Sequence, residues 1–118
     1  MLTHYIIVRR DLPLGTLAAM ITHAAGESSA YYEDPYDGRF RGAHAVVLGV
    51  DSEKALDRLA DKLFDLDIPN VRIRESSYPW NGALMAVGVV PGEKEKIFPV
   101  LKNYLLLRDL IIPVDDGA

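Results

Sequence analysis

Short β-branched runs alternate along the chain with stretches whose apolar positions recur at helical spacing. Residues 4–9 (HYIIVR) form such a run and are predicted to be a first strand. Asp11-Leu12-Pro13 breaks it. Leu14, Leu17, Ala18, Ile21, Ala24 and Ala25 then give one apolar stripe, predicting a helix from Leu14 to about Tyr32. Residues 33–42 (EDPYDGRFRG) carry the Pro, Asp-Gly and mixed charge of a loop. Residues 43–50 (AHAVVLGV) are nearly all apolar, the pattern of a strand buried on both faces, with His44 as a core or site-wall residue. Asp51 or Ser52 is placed to cap a helix whose inner stripe is Leu56, Leu59, Leu63 and Phe64.

Residues 70–75 (NVRIRE) alternate, with Val71 and Ile73 on one side and Arg72 and Arg74 on the other, predicting a half-exposed strand. A loop at 76–81 (SSYPWN) leads to a core strand at 82–90 (GALMAVGVV). Pro91-Gly92 opens a last helical stretch to about Tyr104, with Pro99 as a kink or early stop. This order is α/β. It predicts a three-layer α/β/α sandwich around a mixed, mainly parallel four-strand sheet. Strands 43–50 and 71–75 are expected to be joined by a right-handed parallel crossover, and the last two strands by a hairpin.

Composition narrows the class. The 118 residues, 49% hydrophobic and 25% charged, suit one folded domain over 1–118 with an extra tail from about residue 108. No apolar run reaches the roughly 18–20 residues of a membrane span, and the N-terminus lacks a signal-peptide pattern. Cysteine is absent, which excludes disulfides, thiolate nucleophiles and zinc–cysteine sites. A cytoplasmic protein without cofactor or metal is the simplest expectation. His4, His23 and His44 are scattered, and the phosphate-binding Gly-rich loops and the Gly-x-Ser-x-Gly elbow are missing.

The net charge of −4, from 13 basic and 17 acidic residues, means that any nucleic-acid surface must be a local patch. Arg9, Arg72 and Arg74, with Arg39 and Arg41 of the loop, could assemble one; the plainer reading pairs Arg72 and Arg74 with nearby carboxylates. Asp11 reads as a cap for the first helix or its turn. Tyr31, Tyr32, Tyr36, Tyr78 and Trp80 fall in or beside loops, suited to stacking on bases or, more commonly, to covering the core edge or a dimer surface. The apolar residues 110–114 (LIIPV) predict a homodimer formed through the tail or the neighbouring sheet edge.

The opening strand and helix carry a family likeness. Residues 7–25 (IVRRDLPLGTLAAMITHAA) resemble the start of the type-2 peptidyl-tRNA hydrolases, the archaeal and eukaryotic class, through Arg9, Asp11 and Leu12 and through Ala18-Ala19 followed by His23-Ala24. Asp51-Ser52-Glu53 opening a helix and Ala86-Val87-Gly88-Val89-Val90-Pro91 extend the likeness over most of residues 4–107. Against that pattern, Thr16 stands where the family has a basic residue and Met20 where it has Gln, and the turn before Thr16 is shorter. The family's Asp in an Asp-Ala-Gly loop appears as Glu75, followed by Ser76-Ser77, and its later Thr-Gln pair is missing from Tyr78-Pro79-Trp80-Asn81.

The resemblance implies hydrolysis of the ester joining a peptide to a tRNA 3′ end, which needs a positioned water, a proton acceptor and an oxyanion donor. Thr16, Met20, His23 and Glu27 are spaced i, i+4, i+7 and i+11, along one helix face. The candidate catalytic residues are Glu75, His23 and Thr16; the candidate substrate-binding residues are Arg9, Asp11, Met20, Glu27 and Ser76, with His23 oriented by Glu27 or Glu75. The blander readings are a packed histidine at a helix–sheet contact, a solvated Glu27 and an ordinary exposed carboxylate at a strand end. The alternative at the level of function is a homologue that has lost catalysis and binds another ligand or a protein partner in the same cleft.

Overall fold

A computed structural model describes residues 2–108. The elements run β1 (Leu2–Arg9), α1 (Leu14–Ser29), β2 (His44–Val50), α2 (Glu53–Asp65), β3 (Asn70–Glu75), β4 (Ala83–Val89), β5 (Gly92–Glu93), α3 (Lys94–Leu101) and β6 (Leu105–Leu106). The architecture is α/β with a mixed sheet, as expected, but the sheet has six strands rather than four. The two extra strands are two-residue pieces, too short to leave a period in the sequence. Gly92 and Glu93, expected to open the last helix, instead pair with β1, and Leu105–Leu106 pairs with β2.

The strand order is β3-β4-β1-β2-β6, with β5 also on β1. β1 and β2 are parallel, whereas β4 is antiparallel to both β1 and β3. Three of the four long strands therefore run the same way, although β1–β2 is the one parallel ladder. The β3–β4 hairpin forms as expected. The β2–α2–β3 connection does join strands of the same direction, but it passes over β1 and β4, so β2 and β3 are not neighbours.

The sheet buries both faces. Tyr5, Ile7, Leu48, Leu84, Val87 and Val89 meet Leu56, Leu59 and Leu63 of α2 and Ile97 and Leu101 of α3 on one side. Ile6, Val8, Ile73, Met85 and Ala86 meet Met20 and Ala24 of α1 on the other. Ser52 caps α2, its Oγ accepting from Ala55 N at 3.1 Å. Phe64, assigned to the inner stripe of that helix, is 74% exposed, because Leu56, Leu59, Ala60 and Leu63 already fill the arc facing the sheet. Leu14 is likewise 81% exposed, and the inward line of α1 is Met20, Ala24 and Ser28. The first half of β2 is not buried on both faces: His44 and Ala45 are exposed, since β6 covers only the Leu48–Gly49 end of that edge. Pro99 lies inside α3, which ends at Leu101 rather than Tyr104. The apolar tail at 110–114, to which assembly was assigned, lies outside the described residues. Among the described residues no helix is long and apolar enough to cross a membrane.

One contact sets how closely α1 lies on the sheet. A Cβ built on Gly88 of β4 would sit 2.4 Å from Ala24 O and 2.7 Å from Ser28 Oγ. Ser28 donates to Ala24 O at 2.6 Å and bonds the ring of buried His4 through Nε2 at 2.7 Å. With the Ser28 hydroxyl hydrogen committed to Ala24, the ring is the donor to Ser28, which places its proton on Nε2. Burial lowers the pKa of His4 below the ordinary histidine value.

Two predictions follow from this seam. Gly88→Ala drives a methyl into backbone and should destabilise by about 1–3 kcal/mol in urea unfolding. Gly26→Ala, with open space at its Cβ on the same helix, should be neutral or stabilise by up to about 1 kcal/mol. His4 gives the second: its folded pKa is depressed, so the unfolded chain takes up the proton first as pH falls. Its contribution is complete above the ordinary histidine range and is lost as pH drops through the folded value. Urea midpoints measured across that window should fall in the wild type and fall less in His4→Gln.

Candidate functional site

The polar groups collect where the C-terminal ends of β1 and β3 flank the start of β4. Strand ends in an α/β sheet expose backbone and side chains that the layers of helix do not cover, so sites gather there. A bulge shapes this end. Ile73 pairs with Ala86 and Arg74 with Leu84, leaving Met85 unmatched. The extra residue turns Leu84 and Val87 to the α2 side and Met85 and Ala86 to the α1 side.

Arg9, the last residue of β1, spans the gap to this bulge. Its Nη1 donates to Leu84 O at 3.2 Å and approaches Met85 Sδ at 3.9 Å. Its Nε and Nη2 bond both oxygens of Asp11, at 2.9 and 3.0 Å, in a bidentate fork. The guanidinium lies 5.7 Å from the centroid of the Trp80 ring. Asp11, chiefly through its hydrogen bond, with Glu53 beyond it, holds Arg9 firmly in its charged form. Glu53 in turn accepts from Leu84 N at 2.7 Å. Asp11 therefore serves Arg9 and caps nothing; α1 starts after Pro13 without a side-chain cap.

Glu75 closes β3, and its loop is tied at the base. Gly82 N donates to Glu75 O at 2.7 Å, and Glu75 pairs with Ala83 across the hairpin. Asn81 and Gly82 both take positive φ there, conformations that Asn and Gly tolerate best. The Glu75 side chain turns back into the loop: Oε2 accepts from Ser77 N at 3.0 Å and from Ser77 Oγ at 2.8 Å. These two bonds, the Ser77 backbone bond foremost, hold the carboxyl below the usual carboxylate range, and the nearby His23 of α1 lowers it further.

The structure thus places Glu75 and the Ser76–Ser77 turn at one end of the sheet, and His23 of α1 acts on Glu75 through its charge rather than through a hydrogen bond. His23 and Glu27 are exposed on α1 and Thr16 is half-buried one turn before Met20. Met20 itself is 4% exposed among Ile6, Val8 and Met85, so it supports the site from beneath instead of lining it. The arginines do not converge. Arg72 binds Asp57 and Asp61 of α2 at 3.1 and 2.8 Å, on the face opposite α1. Arg41 pairs with Asp37 inside its own loop, and Arg10 pairs with Asp51 at 2.9 Å. Arg74 sits beside the site, with Nη1 on Gly82 O at 3.3 Å. Among the described residues no three His, Asp or Glu side chains converge as metal ligands.

Sequence reasoning missed Ser77 and Glu53. A Ser two residues after a strand-end carboxylate is the one local sign of the first, because that spacing suits a hydroxyl and an N–H folding back on the same oxygen. Glu53 read as an ordinary first-turn acid, and its reach across to Leu84 depends on the tertiary fold.

Fold and site together define an α/β domain with an ionised carboxylate, an imidazole and a clamped arginine at its strand ends. The family model for peptidyl-tRNA hydrolase PTH2 matches residues 2–107, and the chain belongs to that family. Among curated proteins none matches the chain.

The Arg9 cluster supplies a prediction. Trp80 is the chain's single tryptophan, so its emission reports on the site. Arg9→Met removes the Asp11 fork and the Leu84 bond and should cost about 1.5–3 kcal/mol of stability, with a changed Trp80 emission spectrum in the folded state. An unchanged urea midpoint would show that the cluster contributes nothing.

Proposed function

We propose that the protein hydrolyses a carboxylic ester of the peptidyl-tRNA or aminoacyl-ester type at this strand-end site. The observation that carries the reading is the Glu75 carboxylate, held ionised by Ser77 at the end of β3 and within electrostatic reach of His23 on α1. His23 is the general base and Glu75 the carboxylate that orients it and stabilises the imidazolium. Water loses a proton to His23 as its oxygen attacks the ester carbonyl carbon. The tetrahedral intermediate then collapses, the bond to the ribose oxygen breaks, and the imidazolium returns the proton to that oxygen. The Thr16 hydroxyl, at i−7 from His23 on the same helix, is the donor for the developing oxyanion. Arg74 supplies the cation next to the loop for a substrate phosphate, with Ser76 beside it. Glu27, a turn beyond His23, borders the substrate's path.

A second reading, a homologue that binds without turnover, is favoured by specific substitutions. Thr16 cannot supply the charge of the basic residue that it replaces. Met20 puts a buried thioether where the family pattern has an amide, and Arg9, Arg10, Arg41 and Arg72 are all engaged by aspartates.

The test is release of peptide from a blocked aminoacyl-tRNA. His23→Ala should lower kcat by about 10²–10⁴-fold, the usual contribution of a general base. Glu75→Gln should also lower kcat, with circular dichroism confirming the fold of both variants. Wild-type protein that is folded and releases nothing supports the binding reading; His23→Ala as fast as wild type removes the proposed mechanism.

A further inference from the structure

Glu75 carries two oxygens, and the loop treats them differently. Oε2 receives both the backbone N–H and the hydroxyl of Ser77, while Oε1 takes no bond from that residue. The backbone of Glu75 is already pinned by the Gly82 N–H and by its pairing with Ala83. Ser77 is itself fixed, since its carbonyl accepts from Trp80 N at 2.8 Å and Asn81 N at 3.1 Å. A glutamate has three side-chain torsions, and an exposed one normally samples many rotamers. Here both ends of the side chain are restrained by a turn that is restrained in its own right.

We propose that Ser77 is a positioning residue for the hydrolysis, clamping Glu75 through one oxygen so that the other is free to orient His23. This rests on the reading of His23 and Glu75 given above. The clamp acts by geometry and by charge. Two donors on one oxygen favour the ionised form, and an ionised carboxylate accepts hydrogen bonds without donating any. A carboxyl held ionised in this way is a weak proton acceptor, so it suits orientation better than base catalysis, and the proton falls to the imidazole. Among the described residues, the charged group that acts on Glu75 from another element is His23 of α1; within its own turn the Ser76 N–H adds a smaller effect.

The experiment compares Ser77→Ala and Ser77→Thr with wild type in two readouts. The first is the titration of the Glu75 carboxyl followed by NMR in the folded protein, assigned with Glu75→Gln. The second is kcat and KM for peptide release against pH. Ser77→Ala should move the Glu75 titration up toward the ordinary carboxylate range. It should also lower kcat about tenfold, the scale of one charge-assisted hydrogen bond, with KM little changed. Ser77→Thr keeps the hydroxyl and should restore both. A Glu75 titration that does not move in Ser77→Ala overturns the clamp. Equal losses in Ala and Thr overturn the positioning role. If wild type releases no peptide, the proposed hydrolysis fails and the catalytic role of Ser77 fails with it; the NMR titration alone then decides whether the clamp exists.

Discussion

The close seating of α1 on β4 at Gly88 decides where everything else on that face can lie. With no side chain at Gly88, the backbone of α1 comes down until Ala24 O and Ser28 Oγ fill the space. That depth turns Met20, Ala24 and Ser28 inward and fixes the rotation of the helix. His23, one residue before Ala24, then has to lie outside the buried line, on the side where β3 ends. The His4–Ser28 bond locks the same contact from β1, a buried polar pair with its donors and acceptors matched. That His23 stays exposed, within electrostatic reach of Glu75, is thus a consequence of packing several residues away from either.

Much of this was readable in the chain because it depends on local period. The long strands, α1, α2 and the β3–β4 hairpin follow from alternation, helical spacing and the Ser52 cap. The errors fall where tertiary context overrides period. Phe64 and Leu14 fit an apolar stripe but lie beyond the arc that the sheet can cover. The β-branched run of β2 resembles a fully buried strand, yet its first residues lie at an edge left open by a two-residue partner. Strand order was not readable either, since nothing local to residues 44–75 says that β1 and β4 come between β2 and β3.

For the site, residue identity was more informative than pairing. Arg9, Asp11, His23 and Glu75 were visible as candidates, and three of the four are engaged at the strand ends in ways the sequence could not specify. Asp11 is a cap in spacing and an arginine partner in space. Arg9, Arg41 and Arg72 are paired with aspartates for an electrostatic reason. In a chain with more acids than bases, a cation at a strand or loop is more often within reach of an aspartate than of another arginine. Arg72 shows this directly, since Asp57 and Asp61 are one turn apart on α2 and both face it. Pairing cations in this way leaves Arg74, on Gly82 O, as the cation beside the loop.

Glu75 and Ser77 are best understood as a pair. Compared with the Asp-Ala-Gly pattern that the chain resembles, the carboxylate here is one methylene longer and the residue two places on has gained a hydroxyl. The longer side chain by itself would be looser, since an extra torsion adds rotamers that must be frozen before the carboxylate can orient anything. A glycine at the second place could offer its N–H but no hydroxyl. Serine offers both to the same oxygen, which removes the added freedom and keeps the charge on the carboxylate. Each change alone weakens a carboxylate site; together they return a fixed, ionised group to the end of β3, within electrostatic reach of the His23 that the seating of α1 leaves exposed.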